Sequence, residues 1–163
     1  MNYIIRPMKP EDEREILAIF NYFVDNSFAA YSEQNVGHAY FEKLVNISKG
    51  YPFYVAEAPD GKLAGYALLH AYYPLDTFRR AARVTYFILP EHTRQGLGMK
   101  FLDLLIEDAK TIGVDTLLAS ISAHNEQSLR FHEKLGFEKC GVFKAVGRKH
   151  GQDFDEVWMQ KFI

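Results

Sequence analysis

Residues 84–99 read Val-Thr-Tyr-Phe-Ile-Leu-Pro-Glu-His-Thr-Arg-Gln-Gly-Leu-Gly-Met. The first six residues are apolar, β-branched or aromatic and predict a buried strand, and the residues after Gly98 have helical spacing. A strand that meets a helix through a turn with two glycines directs several main-chain N–H groups at one point, where the positive end of the helix dipole reinforces them. Because glycine has no Cβ, an anion can approach the main chain closely at Gly96 and Gly98. The stretch therefore predicts a turn that binds a diphosphate.

Two common kinds of phosphate-binding turn do not fit this stretch. The dinucleotide-binding fingerprint needs a third glycine three residues after the second, and this position holds Phe101. The phosphate loop of nucleoside triphosphatases needs Gly-Lys followed by Ser or Thr, a sequence that the chain lacks. For this segment alone, a glycine-rich turn that binds nothing remains the alternative.

The composition is that of an ordinary globular protein. The chain has 163 residues, of which 48% are hydrophobic and 25% charged, and its formal net charge is −2. This length predicts a single domain over residues 1–163, and the small charge argues against a general nucleic-acid or membrane-surface binder. We expect a cytoplasmic protein, because no signal-peptide pattern or membrane-spanning apolar run is present. Cys140 is the only cysteine, which excludes internal disulfides and thiolate metal sites; we expect it in the core and expect no bound metal.

The predicted elements follow the order β-αα-βββ-α-β-α-ββ. Strands are predicted at residues 3–6, 53–58, 63–71, 84–89, 116–122, 137–146 and 153–162, and helices from residue 10, around 40–47, at 100–111 and at 125–136. A loop is predicted at 147–152. This order indicates an α/β fold in which one mixed sheet of about seven strands is flanked by about four helices.

Two signatures make the chain similar to a known family. The segment Thr93-Arg94-Gln95-Gly96-Leu97-Gly98 resembles the acetyl-CoA-binding motif of the GCN5-related N-acetyltransferases (GNAT), commonly (Q/R)-x-x-G-x-(G/A), with Thr93 at its first position. The segment Ser128–Phe137, headed by Asn125, resembles the second signature, N-x-x-(S/A)-x-x-x-(Y/H)-E-K-x-G-F. Residues 21–31 and 146–160 resemble one branch, the phosphinothricin and methionine sulfoximine N-acetyltransferases. The resemblance thus covers nearly the whole chain.

The resemblance implies an acetyl-CoA-dependent enzyme that transfers the acetyl group directly to the amine of a small, amino-acid-like molecule. In this family the fourth and fifth strands splay apart and admit the pantetheine arm. Carried over by position, the main-chain amides that contact the pantetheine and the thioester oxygen are those of Tyr86, Phe87 and Ile88. Those that bind the diphosphate belong to Arg94, Gln95, Gly96, Leu97, Gly98 and Met99. The side chain of Asn125 would reach the pantetheine arm while also capping its helix.

The resemblance also indicates which groups move protons. His132 occupies the position where most of the superfamily has a tyrosine near the leaving sulfur; a histidine that only packs its helix on the sheet is the alternative. Arg83 stands where the branch has a glutamate assigned as general base, and a guanidinium stays protonated at neutral pH. The base would then be Glu91, His92 or a water held by main-chain carbonyls, unless the amine arrives neutral or catalysis is poor.

The acceptor site is expected in the loop 72–80 and in the N-terminal helical region. Arg79 is the cation that matches the branch's substrate loop, whereas Tyr73 replaces one of the arginines usual there. Phe28 and Tyr31 correspond to the other wall of the pocket. Because the branch forms homodimers, we expect a homodimer.

Two alternatives to a small-molecule enzyme follow from the same residues. The departures at Arg83 and Thr93 would suit a CoA-binding sensor or interaction module with a degenerate active site. An acetyltransferase of protein N-termini or lysines would need a wide, open groove in place of an enclosed aromatic pocket.

Overall fold

The computed structural model describes residues 2–163 and builds them around one seven-stranded sheet. In chain order the strands are β1 (Ile4–Pro7), β2 (Phe53–Glu57), β3 (Leu63–Ala71), β4 (Ala81–Ile88), β5 (Thr116–Ser122), β6 (Glu138–Lys149) and β7 (Gln152–Phe162). The α-helices are α1 (Glu13–Asn26), α2 (His38–Ile47), α3 (Leu97–Thr111) and α4 (Glu126–Lys134). The predicted α/β fold is confirmed. Among residues 2–163, no helix is both long and apolar enough to cross a membrane.

The sheet is mixed and is covered on both faces. The strand order is β1-β2-β3-β4-β5-β7-β6; β4 and β5 are parallel, and the other neighbouring strands are antiparallel. Residues of β3 enter two different cores, because successive side chains of a strand point to opposite faces. Ala67 and Leu69 lie in the core that contains α3, whereas Tyr66 and Leu68 lie in the core that contains α1 and α2.

The parallel strands β4 and β5 separate soon after they pair. Their ladder runs only from Ala81 opposite Thr116 to Arg83 opposite Leu118, although β4 continues to Ile88 and β5 to Ser122. We call the opening between residues 84–88 and 119–122 the β4–β5 wedge. It confirms the splay that the family resemblance implies.

The predicted loop at 147–152 is mostly strand. β6 extends to Lys149 and β7 begins at Gln152, so that only His150 and Gly151 form the turn. Both turn residues have positive φ, 49° and 74°. Two successive residues with positive φ are typical of the tightest β-hairpins, whose twist matches that of the strands they join. The loop prediction was therefore wrong.

The expectation of a buried Cys140 was also wrong. β6 is the last strand of the sheet, and Cys140 is exposed on it. Its thiol donates to the main-chain oxygen of Trp158 at 3.3 Å. The alternating pattern around Cys140 correctly predicted a strand, but alternation does not indicate whether a strand lies at the edge of its sheet.

Candidate active site

The turn before α3 carries a run of unpaired main-chain donors. α3 begins at Leu97, earlier than the predicted residue 100, and Gly96 is its N-cap residue with a φ of 78°. Within residues 2–163, the N–H groups of residues 94–99 make no hydrogen bond to another group of the protein, whereas the N–H of Lys100 donates to the carbonyl of Gly96. Free donors at the positive end of a long helix make an anion site. The turn therefore has the geometry that the sequence predicts, and its binding of a diphosphate stays a prediction.

The two glycines of this turn have different surroundings. A Cβ added to Gly96 would meet nothing within 4 Å, so that the main chain is open to a ligand there. A Cβ added to Gly98 would lie 2.8 Å from the ring of Phe131 on α4 and 3.5 Å from Ile88. The interpretation that both glycines only allow an anion to approach the main chain is therefore incomplete, because Gly98 also allows α4 to pack closely.

Strand β4 directs alternate N–H groups into the wedge. The N–H of Leu89 donates to the carbonyl of Ala64 on β3, at 2.9 Å. Because these groups alternate along a strand, the N–H of Phe87 also faces β3, whereas those of Tyr86 and Ile88 face the β4–β5 wedge. The main-chain role predicted for Tyr86 and Ile88 fits this arrangement, and the one predicted for Phe87 does not. Phe87 instead forms part of the cavity wall.

A cavity of about 340 Å³ extends through the wedge. Its walls come from α1, α2, the segment 29–32, β3, β4, β5 and α4, and they include five predicted site residues, Tyr31, Tyr86, Phe87, Asn125 and His132. Asn125 is also the N-cap of α4, because its Oδ1 accepts the N–H of Ser128 at 3.2 Å. The two roles expected of Asn125 are thus compatible in one side chain.

His132 and Tyr86 form a hydrogen-bonded pair in the cavity wall. His132 is only 2% exposed, and burial lowers its pKa to about 4, so that the ring is neutral near pH 7. Its Nδ1 lies 2.7 Å from the carbonyl of Ser128, which can only accept, and therefore carries the proton. Its Nε2 must then accept the hydroxyl of Tyr86, at 2.5 Å, and burial raises the pKa of that phenol. His132 thus has no free ring nitrogen, which its motif position did not indicate.

Two hydroxyl side chains connect the cavity to a carboxylate. Ser120 lines the cavity, and its hydroxyl makes a very short hydrogen bond with the Oε1 of Glu156 on β7. The hydroxyl of Tyr31 lies 3.1 Å from the same oxygen of Ser120. Since an ionised carboxylate only accepts, Ser120 donates to Glu156 and Tyr31 donates to Ser120. Glu156 is therefore one hydroxyl away from the cavity.

Part of the cavity wall is electropositive. Arg83 and Lys43 both line it, and so does His70. Burial lowers the pKa of His70, and the charges of Arg83 and Lys43 lower it further. The guanidinium carbon of Arg83 lies 4.9 Å from the centre of the Trp158 ring, within range of a cation–π contact.

The two residues predicted as alternative bases lie outside this cavity. Glu91 is exposed in a short 3₁₀ turn over Pro90–His92. His92 has its Nδ1 3.0 Å from the hydroxyl of Tyr3. Neither side chain lines the cavity, so the structure does not bring the predicted base Glu91 to His132.

Three predicted acceptor-binding residues also lie elsewhere. Arg79 lines a separate surface cavity of about 440 Å³, between the loop before β4 and the end of α3. Tyr73 is 52% exposed and packs against Phe78. Phe28 packs on His124 and Phe154, behind the segment that carries Tyr31. Of the four acceptor residues predicted, only Tyr31 reaches the cavity.

Sequence reasoning missed Ser120, Trp158 and Glu156, which lie on neighbouring strands and face the same side of the sheet. Their signal was present but weak: Ser120 and Ser122 are polar residues at alternate positions of a mostly apolar strand. A buried cation was missed as well. The ammonium group of Lys149 donates to the carbonyls of Ser27 and Ala30 at 2.6 and 2.8 Å, which fastens the cavity wall to the C-terminal hairpin.

Comparison with known proteins agrees with this architecture. The family profile described as an acetyltransferase (GNAT) domain matches residues 5–158. The L-methionine sulfoximine/L-methionine sulfone acetyltransferase of Pseudomonas paraeruginosa is 33% identical over 164 residues, covering 98% of this chain and 94% of that protein.

Two crystal structures are similar over most of their length. A GNAT superfamily phosphinothricin acetyltransferase from Sinorhizobium meliloti, in complex with AcCoA, has a TM-score of 0.92 at 29% identity and covers 100% of this chain and 89% of its own. The ribosomal-protein-alanine N-acetyltransferase from Brucella melitensis has a TM-score of 0.90 at 34% identity and covers 98% and 99%. Together with the family profile, these similarities show that the chain belongs to the GNAT family of acetyltransferases.

Proposed function

We propose that residues 1–163 form one domain that catalyses acetyl-CoA-dependent N-acetylation of a small, amino-acid-like amine. The observation that carries this proposal is the β4–β5 wedge, which joins free main-chain donors to a partly open cavity of about 340 Å³. That volume suits an amino acid better than a protein segment. The methionine sulfoximine and phosphinothricin activities named for two relatives support an acceptor of this size.

The residues around the wedge fit acetyl-CoA, which supplies the acetyl group as a thioester when it is bound. The free N–H groups of residues 94–99 suit its diphosphate. Those of Tyr86 and Ile88 suit the pantetheine arm and the thioester oxygen, where preorganised donors stabilise the negative charge that develops in acyl transfer. The side-chain amide of Asn125 suits the pantetheine arm.

We assign the proton acceptor to Glu156 in place of the predicted Glu91. Glu156 is hydrogen-bonded to Ser120, which lines the cavity, whereas Glu91 is exposed outside it. As the N–H bond of the acceptor ammonium breaks, the oxygen of Ser120 takes the proton and passes its own proton to Glu156. Ser120 is then unchanged, Glu156 becomes neutral, and the amine gains the lone pair that it needs for attack.

His132 remains a proposed catalytic residue, but it acts together with Tyr86. The neutral ring holds the hydroxyl of Tyr86 in the cavity wall. That hydroxyl hydrogen can turn from Nε2 to the leaving sulfur and stabilise it with a hydrogen bond. The raised pKa of Tyr86 opposes complete proton transfer, so the pair stabilises the sulfur without ionising the phenol.

The proposed function is tested by the release of free thiol from acetyl-CoA. The acceptors are L-methionine sulfone, L-methionine sulfoximine, phosphinothricin and a short peptide with an N-terminal alanine. We expect release with the small acceptors, faster with the sulfone, which has one anionic group, than with phosphinothricin, which has two.

Each alternative function predicts a different result in this assay. Release with the peptide alone would favour protein N-terminal acetylation, which the name of the Brucella melitensis relative suggests. Calorimetric binding of acetyl-CoA without release for any acceptor would favour a CoA-binding sensor.

We further propose a homodimer in the cytoplasm that needs neither nucleic acid, membrane nor metal for its activity. Exposed apolar side chains support self-association: Phe143 and Val146 on β6, and Tyr73 and Leu75 in the loop before β4. Light scattering at micromolar concentration tests the assembly directly. A mass of one chain, 18.8 kDa, would contradict it.

A further inference from the structure

The closed end of the β4–β5 wedge holds a cation that forms no ion pair with any carboxylate of the described residues. Arg83 is the last residue of β4 that pairs with β5, and its side chain lines the cavity. Within residues 2–163, no carboxylate lies within 4.0 Å of its guanidinium, and its N–H groups donate to no protein acceptor. A guanidinium has five N–H donors and no acceptor. Arg83 is therefore a half-buried set of free donors.

The ring beside Arg83 holds the guanidinium in place and adds another free donor. Trp158 lies 4.9 Å from the guanidinium carbon, and the contact orients the planar group over the indole. The buried Nε1 of Trp158 has no hydrogen-bond partner among the described residues. Unpaired buried donors are rare in proteins. The Nε1 of Trp158 is one, and the free guanidinium beside it faces the cavity, where a group from outside the protein can accept its hydrogen bonds.

The sheet register places this cation beside the proposed proton acceptor. Trp158 pairs with Ser120 in the β5–β7 ladder, so that the two side chains share one face of the sheet. Ser120 is the residue that bonds Glu156. The guanidinium over Trp158 thus lies next to the hydroxyl that would receive the ammonium proton. An α-amino acid carries its carboxylate and its amine on one carbon, which matches this adjacency.

The positive charge also assists deprotonation of the bound amine. The pKa of His70, another base in the same wall, is lowered by burial and then by the charges of Arg83 and Lys43. The same field acts on an acceptor ammonium and favours its neutral form. An acceptor without a carboxylate would leave the guanidinium without a hydrogen-bonded anionic partner.

We propose that Arg83 binds the carboxylate of an α-amino acid acceptor and thereby determines the substrate class of this enzyme. The proposal rests on the proposed acetyltransferase function. A fork of two parallel N–H···O bonds is the strongest contact that a carboxylate makes with a side chain, and it fixes orientation as well. Arg83 occupies the position at which the phosphinothricin and methionine sulfoximine N-acetyltransferases have a glutamate. The position expected for the general base is therefore a substrate anchor in this chain. Arg79, the anchor expected from the sequence, lies at a different cavity.

The test pairs a change in the protein with a change in the acceptor. L-methionine sulfone and its primary amide differ only in the carboxylate. For Arg83→Gln, we expect kcat/KM to fall about ten- to hundredfold with the acid, mainly through KM, and to change less than about threefold with the amide. Arg83→Lys should recover part of the activity with the acid. Arg14→Gln, at an exposed arginine of α1, is the matched control and should leave both acceptors unaffected.

The outcomes separate this inference from the function on which it rests. Wild-type turnover of the acid supports the acetyltransferase, and equal losses for acid and amide in Arg83→Gln would then overturn the anchor. If Arg79→Gln lowered kcat/KM for the acid alone and Arg83→Gln had no effect, the carboxylate anchor would be Arg79. Calorimetry of the acid tests the contact without turnover. Equal affinity for the wild type and for Arg83→Gln would contradict the proposal, and thermal unfolding of each variant verifies that it is folded.

Discussion

The two halves of the active site are built in different ways. The half that we propose for acetyl-CoA consists mostly of main-chain N–H groups from one continuous segment, residues 84–99. The half that we propose for the acceptor consists of side chains that come from distant parts of the chain, among them Tyr31, Arg83 and Glu156. Main-chain donors are present whatever the side chains are, whereas side-chain chemistry changes with each substitution. A fold built this way can keep one acetyl donor while its acceptor changes.

This difference explains why the residues of the two halves could not be predicted equally well from the sequence. The donor half is encoded by a strand, a turn and a helix start that follow one another, so that a short motif describes it. The acceptor half depends on sheet register, which brings residues of β4, β5 and β7 to one face. A motif cannot express such a relation. The predictions below test whether the two halves are as separate as the structure indicates.

The largest effect is expected in the acceptor half, from Glu156→Gln. Without a carboxylate, Ser120 has nowhere to pass the proton of the acceptor. General base catalysis contributes about 10²–10⁴-fold, so we expect kcat near pH 7 to fall by about 10² or more while KM for acetyl-CoA is unchanged. Steady-state kinetics with L-methionine sulfone measures both quantities.

A matched variant controls for the loss of charge. Glu138→Gln removes an exposed carboxylate from the edge strand β6 and should behave as the wild type. A kcat of Glu156→Gln within a few-fold of the wild-type value would remove Glu156 from the mechanism. A parallel rise in KM for acetyl-CoA would show that the two halves are coupled.

The next effect concerns stability and follows from the buried ring of His132. Its pKa is about 4 in the folded protein, compared with an ordinary value of 6.5. Between these values the unfolded chain binds more protons, so the free energy of unfolding falls as the pH drops from 6.5 towards 4. Because one pKa unit corresponds to 1.36 kcal/mol, the free energy of unfolding should fall by about 3 kcal/mol by pH 4. Urea unfolding of the wild type and His132→Gln between pH 4 and 7 measures it.

We expect the pH dependence of His132→Gln to be weaker in this interval than that of the wild type. His150→Gln, at an exposed residue of the terminal turn, is the control and should keep the wild-type slope. Equal slopes for the wild type and His132→Gln would mean that the ring is protonated in the folded state. The neutral tautomer bonded to Tyr86 would then be incorrect.

How far the sequence predicted the molecule depends on the range of the interactions concerned. The seven strands and four α-helices were predicted because each has its own local periodicity. Cys140 was misplaced because edge and interior strands can share one pattern. Arg83 was recognised as unable to act as a base, but its position over Trp158 could not be deduced, since the two residues meet only through the pairing of β4, β5 and β7. Glu91 was predicted as an alternative base because Arg83 cannot act as one, and it lies outside the cavity.

A smaller effect should distinguish the two glycines of the donor half. Gly98→Ala places a methyl group 2.8 Å from the ring of Phe131, and such overpacking costs about 1–3 kcal/mol. Gly96→Ala meets no neighbour, but its φ of 78° costs about 1–2 kcal/mol for a residue with a Cβ. Replacing the ring by Phe131→Leu should relieve the steric strain of Gly98→Ala and leave the backbone strain of Gly96→Ala unchanged.

Double-mutant cycles measured by thermal unfolding test this distinction. We expect a favourable coupling of about 0.5–3 kcal/mol between Gly98→Ala and Phe131→Leu, and a coupling near zero between Gly96→Ala and Phe131→Leu. Equal couplings in the two cycles would show that the glycines act alike, as the sequence suggested. Calorimetry with CoA on the same variants reports how much of the donor site survives.

The smallest effect is expected from Tyr31→Phe, which keeps the ring and removes one hydroxyl. That hydroxyl lies 3.1 Å from the oxygen of Ser120, at the acceptor side of the cavity. A hydrogen bond of this kind contributes about 0.5–1.5 kcal/mol, so we expect KM for the acceptor to rise about two- to tenfold. KM for acetyl-CoA should stay unchanged, because the donor half uses main-chain groups from 84–99. Tyr22→Phe, on the exposed face of α1, should leave both constants unchanged. If Tyr31→Phe instead raised KM for acetyl-CoA as much as KM for the acceptor, the two halves would not be separate sites, and the division between main-chain and side-chain recognition would have to be abandoned.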